Sequence, residues 1–266
     1  MADFTARTLR PPSAPVHGTL FLPATAVPSA AVLVIGGSGG SEPSYVGQAL
    51  AGEGFAALSV AYFARKRLPA QLRSIPLEYF MSALGILRSE LPSSATPIVV
   101  LGMSRGSEAA MLVAIHASIS VRAVVATVPG NVVAGGLPPG GSAWLLDGRP
   151  LPYVDHAGPD CENADALIPV EQVAGPVLLV AAGSDQVWPS ADMAGALSRR
   201  LHAHGDPHGH AVLDYPEASH SLGYLLPDLP TGLLPPGIAD RAVDKAARAD
   251  AWPKVVPFIR QRGASR

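Results

Sequence analysis

Short apolar runs recur along the chain at residues 30–36 (AAVLVIG), 55–62 (FAALSVAY), 97–103 (PIVVLGM), 122–128 (RAVVATV), 176–182 (PVLLVAA) and 210–215 (HAVLDY). Their apolar character is nearly continuous rather than alternating, which predicts strands covered on both faces, as in a parallel sheet. Between them, residues 43–53, 76–91, 105–118, 189–203 and 240–261 read as helices. In the second of these Leu77, Phe80, Met81, Leu84 and Leu87 share one face. Strand and helix in alternation predict a doubly wound α/β fold, a mostly parallel central sheet with helices on both faces. Residues 17–23 (HGTLFLP) suit an antiparallel edge strand ahead of it.

Residues 129–170 break the pattern. They are rich in Gly and Pro and follow no period, and so long an irregular stretch inside a compact domain is usually a lid or a binding loop. With no internal repeat and no charge block, residues 1–266 are expected to form a single domain with this lid-like segment inserted.

Composition narrows the function classes. The chain is 48% apolar and 15% charged, which suits a large core and excludes a disordered polymer. A formal net charge of -2 gives no reason to expect a nucleic-acid partner or an anionic membrane surface. The opening MADFTARTLRPPS lacks a basic-then-apolar signal, and no apolar run approaches the roughly 20 residues of a membrane helix. No membrane partner and a cytoplasmic location are therefore expected. The lone Cys161 has no internal partner, which fits a reducing compartment.

The candidate chemistry begins at GMSRG, residues 102–106, a GxSxG pattern that follows a β run and opens a helix. In that setting a sharp turn lifts the Ser104 hydroxyl above the sheet, and the helix N-terminus aims free N–H groups at any developing oxyanion. A serine needs a base to remove its proton, and the base needs a carboxylate to fix its tautomer. The required chain order is nucleophile, acid, histidine, each just past the carboxyl end of a strand. Asp185 follows PVLLVAAG, and His220 follows HAVLDYPEAS. The expected catalytic residues are Ser104, Asp185 and His220. Oxyanion donors are expected from the backbone N–H of Arg105 and from Gly37 or Ser38 in the loop VIGGSGGSE. A phosphate cradle is the alternative for that loop, but GxxxxGK[ST] and GxGxxG are absent.

Each residue also has a plainer reading. Asp185 has the position of a cap for the helix beginning near Pro189. Asp160 and Asp165 are rival carboxylates in the irregular segment, and Asp192 falls in a helix turn. His116 reads as a packed core residue, and His220 as a loop histidine without a role. The stretch HAHGDPHGH, with His202, His204, His208 and His210, reads as a solvated helix-to-strand loop, so no metal is expected. Arg65, Lys66 and Arg67 follow a strand end on the ligand side of the sheet, where they suit either phosphate contact or plain solvation.

The blocks HGTLFLP, LAGEGFAALSVAYF, LPAQLRSIPLEYF, GMSRGSEAAML, ALIPVEQVAGPVLLVAAGSDQVWPS and YPEASH resemble the catalytic domain of the acyl-CoA thioester hydrolases and bile acid-CoA:amino acid N-acyltransferases, over about residues 16–262. The resemblance implies the α/β-hydrolase fold and acyl transfer from a small-molecule thioester, coenzyme A or carrier-protein linked, with no cofactor. It maps Ser104 to nucleophile, Asp185 to acid and His220 to base. Animal-type members carry an N-terminal β-sandwich, whereas this chain begins almost at the catalytic domain, so contacts from that domain are expected to be missing. Ser219 stands where the family usually has glycine, SLGYLLP replaces a more aromatic run, and residues 130–168 are shortened. The family uses Ser or Cys as nucleophile; a serine ester is readily taken by water, so Ser104 favours hydrolysis. An acyltransferase, a chain-releasing or cyclising thioesterase or esterase, and a non-catalytic hydrolase-like binding protein remain the alternatives.

Overall fold

The computed structural model describes residues 3–24, 27–159, 163–234 and 240–263. Cys161 and the rival carboxylate Asp160 lie outside the described residues. In chain order the elements are β1 (Phe4–Leu9), β2 (His17–Pro23), β3 (Ala31–Ile35), α1 (Ser44–Gly52), β4 (Ala56–Ala61), β5 (Ile75–Pro76), α2 (Leu77–Ser89), β6 (Ile98–Met103) and α3 (Arg105–His116). There follow β7 (Val121–Thr127), β8 (Trp144–Leu146), β9 (Arg149–Pro150), β10 (Val177–Ala182), α4 (Ser190–Ala203), β11 (His210–Tyr215) and α5 (Ala242–Gly263).

Eight strands form one sheet in the order β1-β2-β4-β3-β6-β7-β10-β11. Only the pairings made by β2 are antiparallel; the others are parallel, which brings the carboxyl ends of β3, β6, β7, β10 and β11 to one edge. Five of the six apolar runs are buried on both faces, as expected: every residue of β3, β4, β6 and β10 is buried, and every residue of β7 but Arg122. The run 210–215 is not: β11 is the far edge strand, and its residues are half-buried or exposed. Phe80 and Leu84 of α2, Met111 of α3 and Leu197 of α4 pack on one face. Val46 and Leu50 of α1 pack with Val255 and Ile259 of α5 on the other. Among the described residues no helix is long and apolar enough to cross a membrane.

Two further readings change. Residues 17–23 are antiparallel but not the edge, because β1 pairs outside them from Phe4↔Pro23 to Leu9↔Gly18. Most of β1 is exposed, so it offers no apolar run to read. His116 is exposed rather than packed, because it is the last residue of α3, where the helix runs out into solvent.

Residues 129–170 hold more order than their composition suggests. β8 pairs with β5 and β9 in a small sheet, and isolated bridges join Leu72 to Leu137, Val132 to Leu167 and Ala134 to Val154. The wholly buried Trp144 anchors this segment, its ring 5.7 Å from Tyr62 and 6.0 Å from Phe80.

The crossing of α3 over the sheet is set by glycines. A Cβ on Gly106 would lie 2.3 Å from the Gly36 carbonyl and 2.5 Å from that of Ile35, and one on Gly102 would lie 2.2 Å from the Gly106 carbonyl. All are backbone atoms, which have nowhere to go. Gly106→Ala is therefore expected to lower stability by about 1–3 kcal/mol, seen as a fall in the urea midpoint. A midpoint equal to wild type would mean that α3 is free to lift off the sheet.

Candidate active site

Ser104 sits between β6 and α3 with φ 52° and ψ −122°, a region that side chains other than glycine rarely adopt. Its N–H bonds the Thr127 carbonyl at 2.9 Å, and its own carbonyl accepts the Ser107 hydroxyl at 2.6 Å. The strained turn leaves the residue 7% exposed, with its hydroxyl on the cleft.

Past the carboxyl ends of β10 and β11, Asp185 and His220 meet it in hydrogen-bonding series. His220 Nε2 lies 3.0 Å from Ser104 Oγ, and His220 Nδ1 lies 2.8 Å from Asp185 Oδ2. The Asp185 side chain is 1% exposed and that of His220 is 12% exposed. Asp185 does not cap α4, whose N-cap is Pro189 with no side-chain cap bond; its Oδ1 instead accepts the N–H groups of Val187 at 2.9 Å and Trp188 at 3.4 Å in the turn ahead of the helix. Those bonds hold the carboxylate from the side opposite the imidazole. The Trp188 indole donates to the Val128 carbonyl at 3.1 Å, and its ring stands edge-on to His220 at 6.3 Å.

The glycine loop approaches the same point. A Cβ on Gly37 would stand 3.2 Å from Ser104 Cβ, so the loop reaches the serine only because that atom is missing. The Tyr62 hydroxyl bonds the Gly36 and Gly37 carbonyls, each at 3.0 Å, and holds the loop in place. Gly37, Ser38, Ser104 and His220 border one cleft of about 330 Å³, completed by largely apolar walls that include Tyr45, Met103, Val187, Tyr224 and Leu233. Arg105 opens α3, where the first N–H groups have no acceptor within the helix. No described residue of the segment 129–170 borders this cleft.

The remaining candidates lie elsewhere. Arg65, Lys66 and Arg67 are exposed on a turn beyond Phe63 and Ala64, next to Gly40 of the glycine loop but outside the cleft lining. The His17 ring ties this turn down through Nε2 and the Lys66 carbonyl, 2.7 Å apart. Asp165 and Asp192 are exposed and neither borders the cleft; Asp192 lies in the first turn of α4. In the histidine-rich stretch, His210 pairs with Asp206 at 2.5 Å and Ser198 at 2.7 Å, while His202, His204 and His208 are exposed. Among the described residues no three His, Cys, Asp or Glu side chains are grouped to hold a metal ion.

Glu108 is the residue that sequence reasoning passed over. It is wholly buried beneath the turn, where Oε1 meets Arg105 Nε at 2.7 Å and Oε2 accepts the Trp144 indole N–H at 2.8 Å and the Ala134 N–H at 3.1 Å. Arg105 completes the clamp by donating to the Gly135 and Ala134 carbonyls at 2.9 and 2.7 Å. Burial pushes the Glu108 carboxyl above its ordinary range, against the pull of Arg105. A charge at the head of the apolar run AAMLVAI is the sequence signal for it.

The profile of the BAAT / acyl-CoA thioester hydrolase C-terminal family matches residues 154–231, a span that holds Asp185 and His220. Human acyl-coenzyme A thioesterase 2, mitochondrial, is 32% identical over 221 residues, covering 78% of this chain and 45% of that protein. The chain belongs to this family. A further member, human acyl-coenzyme A thioesterase 6, is 29% identical over 271 residues, 92% of this chain and 63% of that one. The chain spans about half the length of the curated relatives it matches. Among solved structures, a truncated carbohydrate esterase from gut microbiota superimposes with a TM-score of 0.66 at 13% identity, over 98% of this chain and 97% of that one. An alpha/beta hydrolase enzyme from a deep-sea metagenome library gives 0.61 at 16%, over 97% and 98%. The family domain has the α/β-hydrolase fold.

The Arg105–Glu108 pair generates a stability prediction. Glu108→Leu leaves a buried guanidinium without its counter-charge, a change that costs about 3–5 kcal/mol. The double variant Glu108→Leu/Arg105→Met is expected to recover most of that loss in urea unfolding. If the single and double variants are equally unstable, the pair is not what ties 134–144 to α3.

Proposed function

We propose that this protein is an acyl-thioester hydrolase that works through a serine acyl-enzyme, with Ser104 as nucleophile, His220 as general base and acid, and Asp185 as the carboxylate that fixes the imidazole. The observation that carries the reading is the unbroken series from Asp185 Oδ2 through His220 to Ser104 Oγ, at 2.8 and 3.0 Å. Names of relatives add the substrate class: several are acyl-coenzyme A thioesterases.

The steps follow from the geometry. His220 Nε2 takes the Ser104 proton as Oγ attacks the thioester carbonyl, and Asp185 stabilises the imidazolium through its Nδ1–H. The oxyanion is held by the N–H of Arg105 and an N–H of Gly37 or Ser38. Collapse breaks the C–S bond, and the thiol leaves with the proton from His220. Water then enters the position the thiol held, gives a proton to the same nitrogen and attacks the ester, releasing the acid and restoring Ser104. The acyl chain lies along the apolar walls at Tyr45, Met103, Tyr224 and Leu233.

Arg65, Lys66 and Arg67 are assigned to the phosphates of the coenzyme A portion. In support, Lys66 and Arg67 have no ion-pair partner among the described residues, and the turn stands beside the glycine loop at the cleft. Cations with nothing to neutralise them are the natural partners of phosphate.

Two measurements test these assignments. In wild type, intact mass after mixing with a panel of acyl thioesters should show an acyl adduct that clears in water, and Ser104→Ala should lose the adduct and roughly 10³-fold or more in turnover. Turnover retained in Ser104→Ala removes the serine mechanism, and an adduct that clears only when an amine is added makes the protein a transferase. Replacing Arg65, Lys66 and Arg67 together by glutamine should raise KM for acyl-coenzyme A about tenfold, the equivalent of about 1.4 kcal/mol. Thioesters of N-acetylcysteamine, which carry no phosphate, should be much less affected. An unchanged KM for acyl-coenzyme A refutes the phosphate contact.

A further inference from the structure

The loop that carries His220 is gripped on both sides by one helix. Ser219, just before the histidine, donates its N–H to Asp244 Oδ1 at 2.6 Å. Asp244 is itself held by Arg241, through Nε at 2.8 Å and Nη2 at 2.9 Å. Ser221, just after the histidine, takes a bond on its hydroxyl from Arg248 Nη1 at 3.2 Å. The Ser219 and Ser221 hydroxyls, 3.1 Å apart, close the bracket across His220. Asp244 and Arg248 stand four residues apart on α5, which puts them on the same helix face, and both are wholly buried.

Arg248 reaches further along the same loop. Nε donates to the Leu226 carbonyl at 2.7 Å, and Nη2 donates to Asp240 at 2.6 Å and to the Pro227 carbonyl at 3.3 Å. Its bonds therefore flank Tyr224, which borders the cleft, and Leu225, which is fully buried with φ 64°. A leucine in that region is strained and persists only where its surroundings over-determine it. Stability alone does not account for such a cluster, because buried charges lose their hydration and well-packed apolar residues of the same size often serve a core as well or better. Burial acts to raise the Asp244 carboxyl, but its bonds from Arg241 and Ser219 outweigh burial and hold it at about 2, so it stays ionised at neutral pH.

We propose that Asp244 and Arg248 are positioning residues for His220: Asp244 sets the ring's register against Ser104 and Asp185, and Arg248 sets both that register and the cleft wall at Tyr224. The proposal rests on the reading of His220 as the catalytic base. It separates the two residues by what each should disturb. Within the loop Asp244 bonds only Ser219, the residue beside the base, so its loss should act on kcat. Arg248 spans the base and the wall, so its loss should also act on KM, and more for long acyl chains than for short ones.

The test uses the full chain with butyryl- and decanoyl-coenzyme A, and follows the downfield proton resonance of His220 Nδ1–H, assigned by its disappearance in His220→Gln. In Asp244→Ala, kcat should fall about 10- to 100-fold on both substrates, in line with the cost of about an ångström of misplacement. KM should stay within about twofold, and the resonance should shift or broaden. Asp244→Asn, which keeps an acceptor for Ser219, should recover part of the loss. Arg248→Lys should lower kcat and raise KM for decanoyl- more than for butyryl-coenzyme A; Arg248→Met should do the same more strongly, and Arg248→Lys decides the matter if the methionine variant does not fold. Lys254→Gln, on the exposed part of the same helix, should match wild type. Wild-type kcat and an unmoved resonance in folded Asp244→Ala and Arg248→Lys overturn the proposal. So does a loss that only tracks the folded fraction while the resonance of the folded protein is unchanged. If wild type hydrolyses neither thioester, the catalytic reading fails, and the resonance in the variants still decides whether α5 positions the ring.

Discussion

The site depends on a serine held in a backbone conformation that serine disfavours. A non-glycine residue at φ 52° costs on the order of 1–3 kcal/mol and persists only under constraint from all sides. The constraints are visible. β6 is buried along its whole length and ends at Met103, α3 starts at the very next residue after Ser104, and Gly102 and Gly106 let helix and strand come closer than any Cβ would allow. The chain has no other way round the corner. The hydroxyl projects into the cleft because the turn leaves it nowhere else to go, and the imidazole and the glycine loop need only meet it there.

Around that corner, buried charge does what packing alone does not. Apolar side chains are non-directional, and a core of Val, Leu and Ala tolerates small slides at little cost. A carboxylate that accepts from an indole, an amide and a guanidinium has one good position. Glu108 and Arg105 tie Trp144 and residues 134–135 to the helix behind Ser104, while Asp244 and Arg248 tie the 219–227 loop to α5. The two clusters lie on opposite faces of the sheet, since Trp144 belongs to the α3 face and α5 to the other. The sheet edge is thus braced from both sides, in directions that hydrophobic contact does not specify.

This division explains what the sequence made legible. Strands buried on both faces must be apolar almost throughout, so β3, β4, β6, β7 and β10 could be read from their runs of Val, Ile, Leu and Ala. GxSxG could be read because a corner this tight demands small neighbours. Asp185 and His220 could be read because the sheet delivers strand ends to one edge in a fixed chain order. β1 could not: it is an exposed edge strand whose pairing with β2, not its own pattern, makes it a strand. Nor could Asp244 and Arg248, whose partners in the histidine loop lie more than twenty residues away along the chain. On paper ADRAVDKAARAD reads as an ordinary charged helix, and only the docking of that helix shows that two of its charges face inward. His116 erred in the opposite sense, a helix-end residue read as core because the helix before it is so apolar.

The same reasoning bears on where substrate choice resides. Solved hydrolases at 13–16% identity superimpose over nearly the whole chain, so the fold survives replacement of most of its residues and carries no information about the acyl group. The segments that border the cleft divide in two. Ser104 directly follows the end of β6, and His220 sits in the loop that leaves the end of β11, so the sheet dictates where both begin. Tyr45, Val187, Tyr224 and Leu233 sit in loops or in the first turn of a helix, where backbone and side chain vary without disturbing a strand. One segment crosses that boundary. Residues 219–227 carry His220 near one end and a cleft wall a few residues later, so substitutions that reshape the wall pull on the imidazole unless something isolates the two. A buried guanidinium bonded at Ser221, Leu226 and Pro227 brackets the wall residues at both of their ends. With the ends fixed, Tyr224 is open to replacement while the histidine keeps its place.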